Sequence, residues 1–364
     1  MSGTTVKGVV VQAEGEAPEV LELVLPEVGP RDVRVELTGA GLCHSDLSML
    51  NGTLRPVFPL VLGHEAAGTV VEAGAGVSQV GVGDRVVINW APACRRCWFC
   101  LRGEQWLCAE SAPVASVPRG TLLDGTPLNV AMRIGAFAEQ TVLPESAVVK
   151  LPTGIPDPVA ALLGCAVLTG MGAVRNTADV RSGDTVLVLG LGGVGLSAVA
   201  GAALAGAARV IAADLHPEKE ELARAMGATD FLVSGPSLTK DVRRLTGGIG
   251  ADHALECVGS SRTIRAAWDA TRRGGRAVVV GAGRVTDTLE FNAMELFGSA
   301  RTLTSSVYGS SEPGRDIADI GALVAAGRLD LGPLVTHHTD LLGIGDALDR
   351  MASGEGGRTL ITTH

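Results

Sequence analysis

Residues 185–195 read TVLVLGLGGVG, a short apolar, β-branched run that stops on glycines. A run of this kind is a fully buried parallel strand. It leads into Gly190, Gly192 and Gly195 in G-x-G-x-x-G register, with Gly193 and Val194 inside the turn, and the Ala-rich stretch LSAVAGAALAGA follows as a helix. In a chain with 49 glycines the spacing alone says little. Strand before and helix after make it specific, because bare glycines admit a pyrophosphate and the helix N-terminus faces its charge. ARVIAAD then ends on Asp214, about twenty residues past the last glycine. A carboxylate there accepts the ribose hydroxyls of NAD and repels the 2′-phosphate of NADP. A surface aspartate closing a strand is the plainer alternative. Lys219 and His216 lie nearby in sequence; neither is an arginine placed to clamp a phosphate, and Lys219 counts among the nucleotide-contact candidates.

The alternation continues. TDFLVS, HALECVG, RAVVVG and RTLTSSV read as strands, with HPEKEELARAMGA and SRTIRAAWDATRR helical between them. Six strands alternating with helices predict a doubly wound parallel α/β sheet over residues 167–305. Upstream the pattern changes: DVRVELTGA alternates apolar and polar residues, and AAGTVVEAGAGV and GDRVVI are strand-like pieces between Gly turns. These predict a compact, largely antiparallel β domain. A length of 364 residues exceeds one hydrophobic core, so two domains are expected.

The formal net charge of −9 argues against a nucleic-acid partner, whose phosphates need a basic face. The N-terminus, MSGTTVKGVV, lacks a signal-peptide pattern, and no uninterrupted run of 18 apolar residues is evident, so a soluble cytoplasmic protein with no membrane partner is expected. In a reducing compartment, clustered thiols are metal ligands more often than disulfides. Four of the seven cysteines fall in CRRCWFCLRGEQWLC, spaced Cys94-x2-Cys97-x2-Cys100-x7-Cys108. Four thiolates make the closed tetrahedron of a structural zinc site, and the x7 gap fits iron–sulfur spacings poorly. Such a site staples a loop and leaves no position for substrate.

An open site needs other ligands. GLCHSDL offers Cys43, GHEAAG offers His64 and Glu65, and LLGCAVLTG offers Cys165 at what reads as the start of a helix. Cys43, His64 and Cys165 would form a Cys2His set with a vacant fourth position, the pattern of a catalytic zinc. Spacing does not establish this, since Cys165 and His64, taken singly, read more readily as a buried cysteine and a satisfied core histidine.

The combination resembles the zinc-dependent medium-chain alcohol dehydrogenases, and the resemblance runs nearly end to end. GLCHSDL, GHEAAGTVVEAG, the four-cysteine lobe, GCAVLTG and GLGGVG stand in that family's order and intervals. It implies a GroES-like catalytic domain over 1–166 completed by the C-terminal segment 306–364, a Rossmann domain for NAD over 167–305, and an active site in the cleft between domains. It implies two zinc ions per subunit, one on Cys43, His64 and Cys165 and one on Cys94, Cys97, Cys100 and Cys108. By the same resemblance Asp46 orients the ligand histidine, Glu65 binds the metal transiently, and Ser45 relays the alcohol proton. Without the family, Ser45 reads as a helix N-cap. Some members carry a histidine three residues beyond that serine; this chain has Ser48. His44 and Arg358 match pyrophosphate contacts, Thr169 and Val194 nicotinamide contacts, and Leu54, Trp90 and Phe137 positions lining the substrate pocket. Trp90 would narrow that pocket toward primary alcohols and aldehydes. Cys257 reads as packing.

The resemblance implies reversible hydride transfer between a primary alcohol or aldehyde and NAD(H). NWAPACRRC, IGAFAEQ and LLGC are most similar to actinobacterial, mycothiol-dependent formaldehyde dehydrogenases, so oxidation of an S-hydroxymethyl thiol adduct is the alternative. Glutathione-dependent members carry an arginine and an acidic residue where this chain has Ala112 and Leu54. A non-catalytic NAD-binding zinc protein is the distant alternative. The long segment between Cys108 and Gly135 resembles dimeric members, which implies a homodimer.

Overall fold

A computed structural model describes residues 3–111 and 116–363; Ala112 lies outside them. The chain divides into two compact units: Met1–Ala166 with Glu312–Arg328 and Val335–His364, and Val167–Ser311 with Leu329–Leu334. The returning chain therefore leaves the second unit later than residue 306. The Thr177 hydroxyl meets Ser306 Oγ at 2.8 Å and Ser310 Oγ at 2.9 Å, and Asn176 Nδ2 donates to Gly309 O at 3.1 Å, which ties 306–311 to the second unit.

The first unit is β-rich. Thr5–Val11, Glu19–Val24, Ser116–Leu122, Pro127–Ala131 and Leu60–Val61 close a barrel. A seven-stranded sheet runs in the order Val148–Lys150, Arg85–Ile88, Ala66–Ala73, Asp32–Gly41, Arg358–Ile361, Val335–Thr339, with Gln140–Pro144 also paired to Asp32–Gly41. Pairing is antiparallel except for Leu60–Val61 with Pro127–Ala131 and Val335–Thr339 with Arg358–Ile361. The alternation in DVRVELTGA does what period two requires: Val33, Val35 and Leu37 point into the core with no exposed surface. Each such side chain contributes roughly 1.5–3 kcal/mol by leaving water. On the same strand Arg34 reaches across to Glu72 and Gln140. This strand carries the chain directly to Leu42 and Cys43.

The second unit holds a six-stranded parallel sheet in the order Asp230–Val233, Arg209–Asp214, Thr185–Leu189, Ala251–Glu256, Thr271–Val279, Thr302–Ser305. Counted along the chain this is 3-2-1-4-5-6, the doubly wound dinucleotide-binding order. Val186, Leu187 and Val188 have no exposed surface, as a strand covered on both faces demands. The order reverses between Thr185–Leu189 and Ala251–Glu256, which makes the carboxyl ends of those two strands the switch point.

Three local expectations change. The helix leading to Cys165 begins earlier, at Asp157 with Pro158 in its first turn, and widens into a π-turn over Leu163–Val167. That turn packs closely against its neighbour: a Cβ on Gly164 would lie 2.2 Å from the Ile88 carbonyl oxygen. Cys43, not Ser45, caps the helix His44–Leu50. Finally, Asp157–Ala178 is long and apolar enough to cross a membrane, yet 83% of its apolar window is buried inside the protein, as in a core helix.

Candidate metal centre and nucleotide turn

Cys43, His64, Glu65 and Cys165 are all buried, and one ligand atom from each lies within 4.8 Å of the others. Three pieces of backbone bring them together. The central strand delivers Cys43, the turn between Leu60–Val61 and Ala66–Ala73 delivers His64 and Glu65, and the π-turn delivers Cys165. Glycines permit the convergence. Gly63 has φ +93°, and a Cβ on it would meet the Phe137 ring at 2.4 Å and Phe137 N at 2.6 Å. A Cβ on Gly41 would lie 2.8 Å from both Glu65 Cδ and Leu162 Cδ2.

Asp46 organises the ligands without reaching the ion position. Its Oδ2 accepts Cys43 N–H at 3.0 Å, and its Oδ1 accepts Gly63 N–H at 3.2 Å and faces His64 Nδ1 at 3.2 Å. With Nδ1 committed to Asp46, Nε2 is left for a metal, and it stands 3.4 Å from Cys165 Sγ. Such a partner fixes both ring orientation and tautomer. Burial opposes charge on His64, but the Asp46 carboxylate overrides it and raises the imidazole pKa. A hydrogen bond from Cys165 lowers the Cys43 pKa, and the same bond raises that of Cys165. Two thiols, one of them readily ionised, and a neutral-capable imidazole are the donor set zinc prefers, with room for a fourth ligand. The residues fit the ion.

Arg358 packs beside the Cys43 thiol. It is buried, with Nη1 donating to Leu42 O at 2.6 Å and Nη2 to Cys43 Sγ at 3.5 Å. Pairing of Leu360 with Gly41 and Ile361 with Ala40 sets this register, which packs Arg358 beside the thiolate. Nη2 also lies 3.2 Å from Glu65 Oε2, although that oxygen makes no aligned hydrogen bond. Burial pushes the Glu65 carboxyl up to about 7, against the pull of Arg358. Ser45 sits in the first helical turn with Oγ 3.9 Å from Cys43 Sγ; His44 beside it is exposed. Phe137 is fully buried beneath Gly63 and supports the His64 turn. Leu54 and Trp90 are partly buried on the same core cluster, together with Met132, which the sequence did not single out.

The second cluster gathers Cys94, Cys97, Cys100 and Cys108, again with ligand atoms within 4.8 Å of one another. Cys94 N–H points at Cys108 Sγ and Cys97 N–H at Cys94 Sγ, both at 3.3 Å. Burial works against ionising Cys108, but hydrogen bonds from the backbone of Cys94, Glu110 and Ser111 bring its thiol down to about 6. Burial pushes Cys100 up to about 12. None of the seven cysteines is in a disulfide.

In the second unit Gly192 caps the helix Gly193–Leu204, and a Cβ on it would meet nothing within 4 Å. Protein packing does not demand that glycine; an approaching pyrophosphate does. Gly195 is required internally, since a Cβ there would fall 1.8 Å from Gly190 O. Asp214 accepts Leu191 N–H at 2.7 Å and pairs with buried Lys219 at 3.3 Å, which puts carboxylate and ammonium together beside the glycine turn. Thr169 and Val194 are half-buried neighbours, because Gly170 packs against Val194 O. The residues fit a dinucleotide.

Residues 29–153 match the alcohol dehydrogenase GroES-like domain family, and residues 193–324 the zinc-binding dehydrogenase family. The chain is 37% identical to the S-(hydroxymethyl)glutathione dehydrogenase of Escherichia coli O1:K1, over 98% of this chain and 99% of that protein. Among solved structures it is similar to a zinc-binding alcohol dehydrogenase domain protein from Burkholderia ambifaria, with TM-score 0.92, 30% identity and 99% of each chain covered. It is also similar to benzyl alcohol dehydrogenase from Acinetobacter calcoaceticus, with TM-score 0.91 and 26% identity, covering 99% of this chain and 100% of that one.

Proposed function

This chain belongs to the zinc-dependent medium-chain alcohol dehydrogenase family, and from that membership we propose an NAD-dependent enzyme that moves hydride between a primary alcohol or its aldehyde and the nicotinamide. One observation carries the proposal: two thiols and an imidazole from three distant segments meet within 4.8 Å, with their carboxylate partner Asp46 already in place. Zinc, when bound there, supplies Lewis acidity that brings an oxygen's pKa toward about 7, and NAD supplies the hydride acceptor.

The chain's own residues do the rest. Asp46 holds Cys43 and His64 in register. The Ser45 hydroxyl takes the alcohol proton, which then leaves to water, since Ser48 one turn along offers no imidazole. Leu54 and Trp90 narrow the approach and favour primary over bulky secondary alcohols. Asp214 takes the ribose hydroxyls, with Lys219 beside it, and selects NAD.

A second reading has its own support. The similar Escherichia coli protein acts, by its name, on S-(hydroxymethyl)glutathione, so an S-hydroxymethyl thiol adduct is a fitting primary alcohol for this site. Leu54, in place of an acidic glutathione contact, favours another thiol such as mycothiol. Turnover of a panel of primary alcohols and aldehydes with NAD(H), and of formaldehyde with and without glutathione or mycothiol, separates the two. No turnover on any of them, with two zinc ions bound, would overturn both.

The protein acts as a homodimer in a reducing, cytoplasmic setting where free thiols persist. Among the described residues Thr302–Ser305 leaves one side of the six-stranded sheet unpaired, and Met294, Phe297 and Val307, close to it along the chain, are exposed. An open edge flanked by apolar side chains is covered by a twofold copy of itself at least cost.

A further inference from the structure

Glu256 is the last residue of the strand just beyond the switch point, and it is fully buried. In a strand otherwise set to bury apolar groups, a carboxyl needs a reason. Its Oε1 accepts three donors: Val258 N–H at 2.9 Å, Gly259 N–H at 2.8 Å and the Thr263 hydroxyl at 2.7 Å. Those bonds pin the turn from Cys257 to Ser260 and tie it to the start of the helix Ser261–Ala270, which Ser260 caps.

That turn is a wall of the crevice. On one side it abuts the glycine turn, for a Cβ on Gly190 would lie 2.6 Å from Val258 Cγ2. On the other it abuts the end of the next strand, where a Cβ on Gly281 would lie 2.2 Å from Gly259 N. Val258 itself is 51% exposed at the carboxyl ends of the strands, where dinucleotides lie. Asp214 holds the other half of the crevice by the same device, a terminal carboxylate accepting Leu191 N–H at 2.7 Å. The adenosine ribose belongs to Asp214 and the pyrophosphate to the glycine turn, so the turn beyond Glu256 faces the nicotinamide half.

Resting on the dinucleotide reading above, we propose that Glu256 is a positioning residue for the nicotinamide half of the cofactor, acting through the Cys257–Ser260 turn. Burial raises its pKa, and among the described residues Oε2 has no hydrogen-bond partner. A glutamine keeps the accepting oxygen; an alanine does not.

The test is binding of NADH and of AMP, followed by calorimetry on the zinc-loaded protein. Glu256→Ala should weaken NADH at least tenfold and leave AMP, which uses only the Asp214 half, within twofold. Glu256→Gln should restore NADH to within about threefold of the parent. Should Glu256→Ala not fold, Thr263→Val removes one of the three donors and should weaken NADH alone by a smaller factor. Equal loss of NADH and AMP, or no loss of NADH in either variant, overturns the proposal. A parent protein that binds neither ligand overturns the dinucleotide reading instead.

Discussion

Asp46 and His64 face each other at 3.2 Å with 0% and 1% of their surfaces exposed. The same carboxylate takes the backbone N–H groups of Cys43 and Gly63, so one side chain sets two ligands at once. Asp46→Asn keeps the shape and disturbs the imidazole tautomer. It should weaken zinc at this centre by about 10–100-fold, read by chelator competition, while the four-cysteine zinc stays bound. Equal affinity in parent and variant would show that the carboxylate is only packing.

Ser45→Ala should slow alcohol oxidation by about 10²–10⁴-fold, the usual worth of a positioned proton carrier. Zinc content should stay at the parental value, because Ser45 Oγ stands 3.9 Å from the nearest ligand sulfur. Near-normal turnover would remove the relay.

Cys108→Ser should release one zinc and loosen the lobe that runs from Cys94 to Cys108 without emptying the other centre. A loss of about 2 kcal/mol would appear as a melting temperature lower by about 4–8 °C. Metal quantification beside the thermal scan checks both halves of the expectation.

These ligand sets were not equally legible. The four-cysteine site could be read from spacing because all its ligands sit in one short lobe. Asp214 could be read because strand, glycine turn and acidic residue follow at fixed offsets. Cys43, His64 and Cys165 are joined only by tertiary packing, so the residues alone left them open and a family pattern was needed to connect them. The contacts of Arg358 with Leu42 and Cys43 could not be read, because strand register, invisible in the sequence, decides which way it faces. The packing of Phe137 beneath Gly63 was equally hidden, because nothing in the sequence reveals that Gly63 lies against its ring. Glu256 went unnoticed inside HALECVG, although a lone acid closing a buried parallel strand was a usable signal.

Asp214→Ala should raise the KM for NAD and let NADP serve, since the repulsion of a 2′-phosphate goes with the carboxylate. Steady-state kinetics with both cofactors measures the change in preference. An unchanged preference would assign the discrimination to another residue.

Stability should carry the mark of Glu256. Its carboxyl pKa is raised in the folded protein, so the folded chain holds that proton more tightly than the unfolded one. Stability from this group is therefore greatest below the unfolded carboxyl value of about 4.3 and falls as pH rises toward the folded value. Urea unfolding of Glu256→Gln across that range should lack this decline, and parallel profiles would refute it.

Phe297→Asp with Leu303→Lys should convert the dimer to monomer in light scattering, because both side chains are exposed beside the open sheet edge. A parent that is already monomeric would dispose of the interface.

Gly41, Gly63 and Gly164 leave a last consequence. Each stands within two residues of a ligating side chain, and at each the space for one methyl group is already filled by a neighbour. Zinc bond lengths tolerate about 0.2 Å of error, less than any of those three collisions would displace. What can vary in this pocket is accordingly confined to side chains such as Leu54 and Trp90. Any relative that keeps the metal while changing its alcohol must do so on a frame of missing atoms that it is not free to fill.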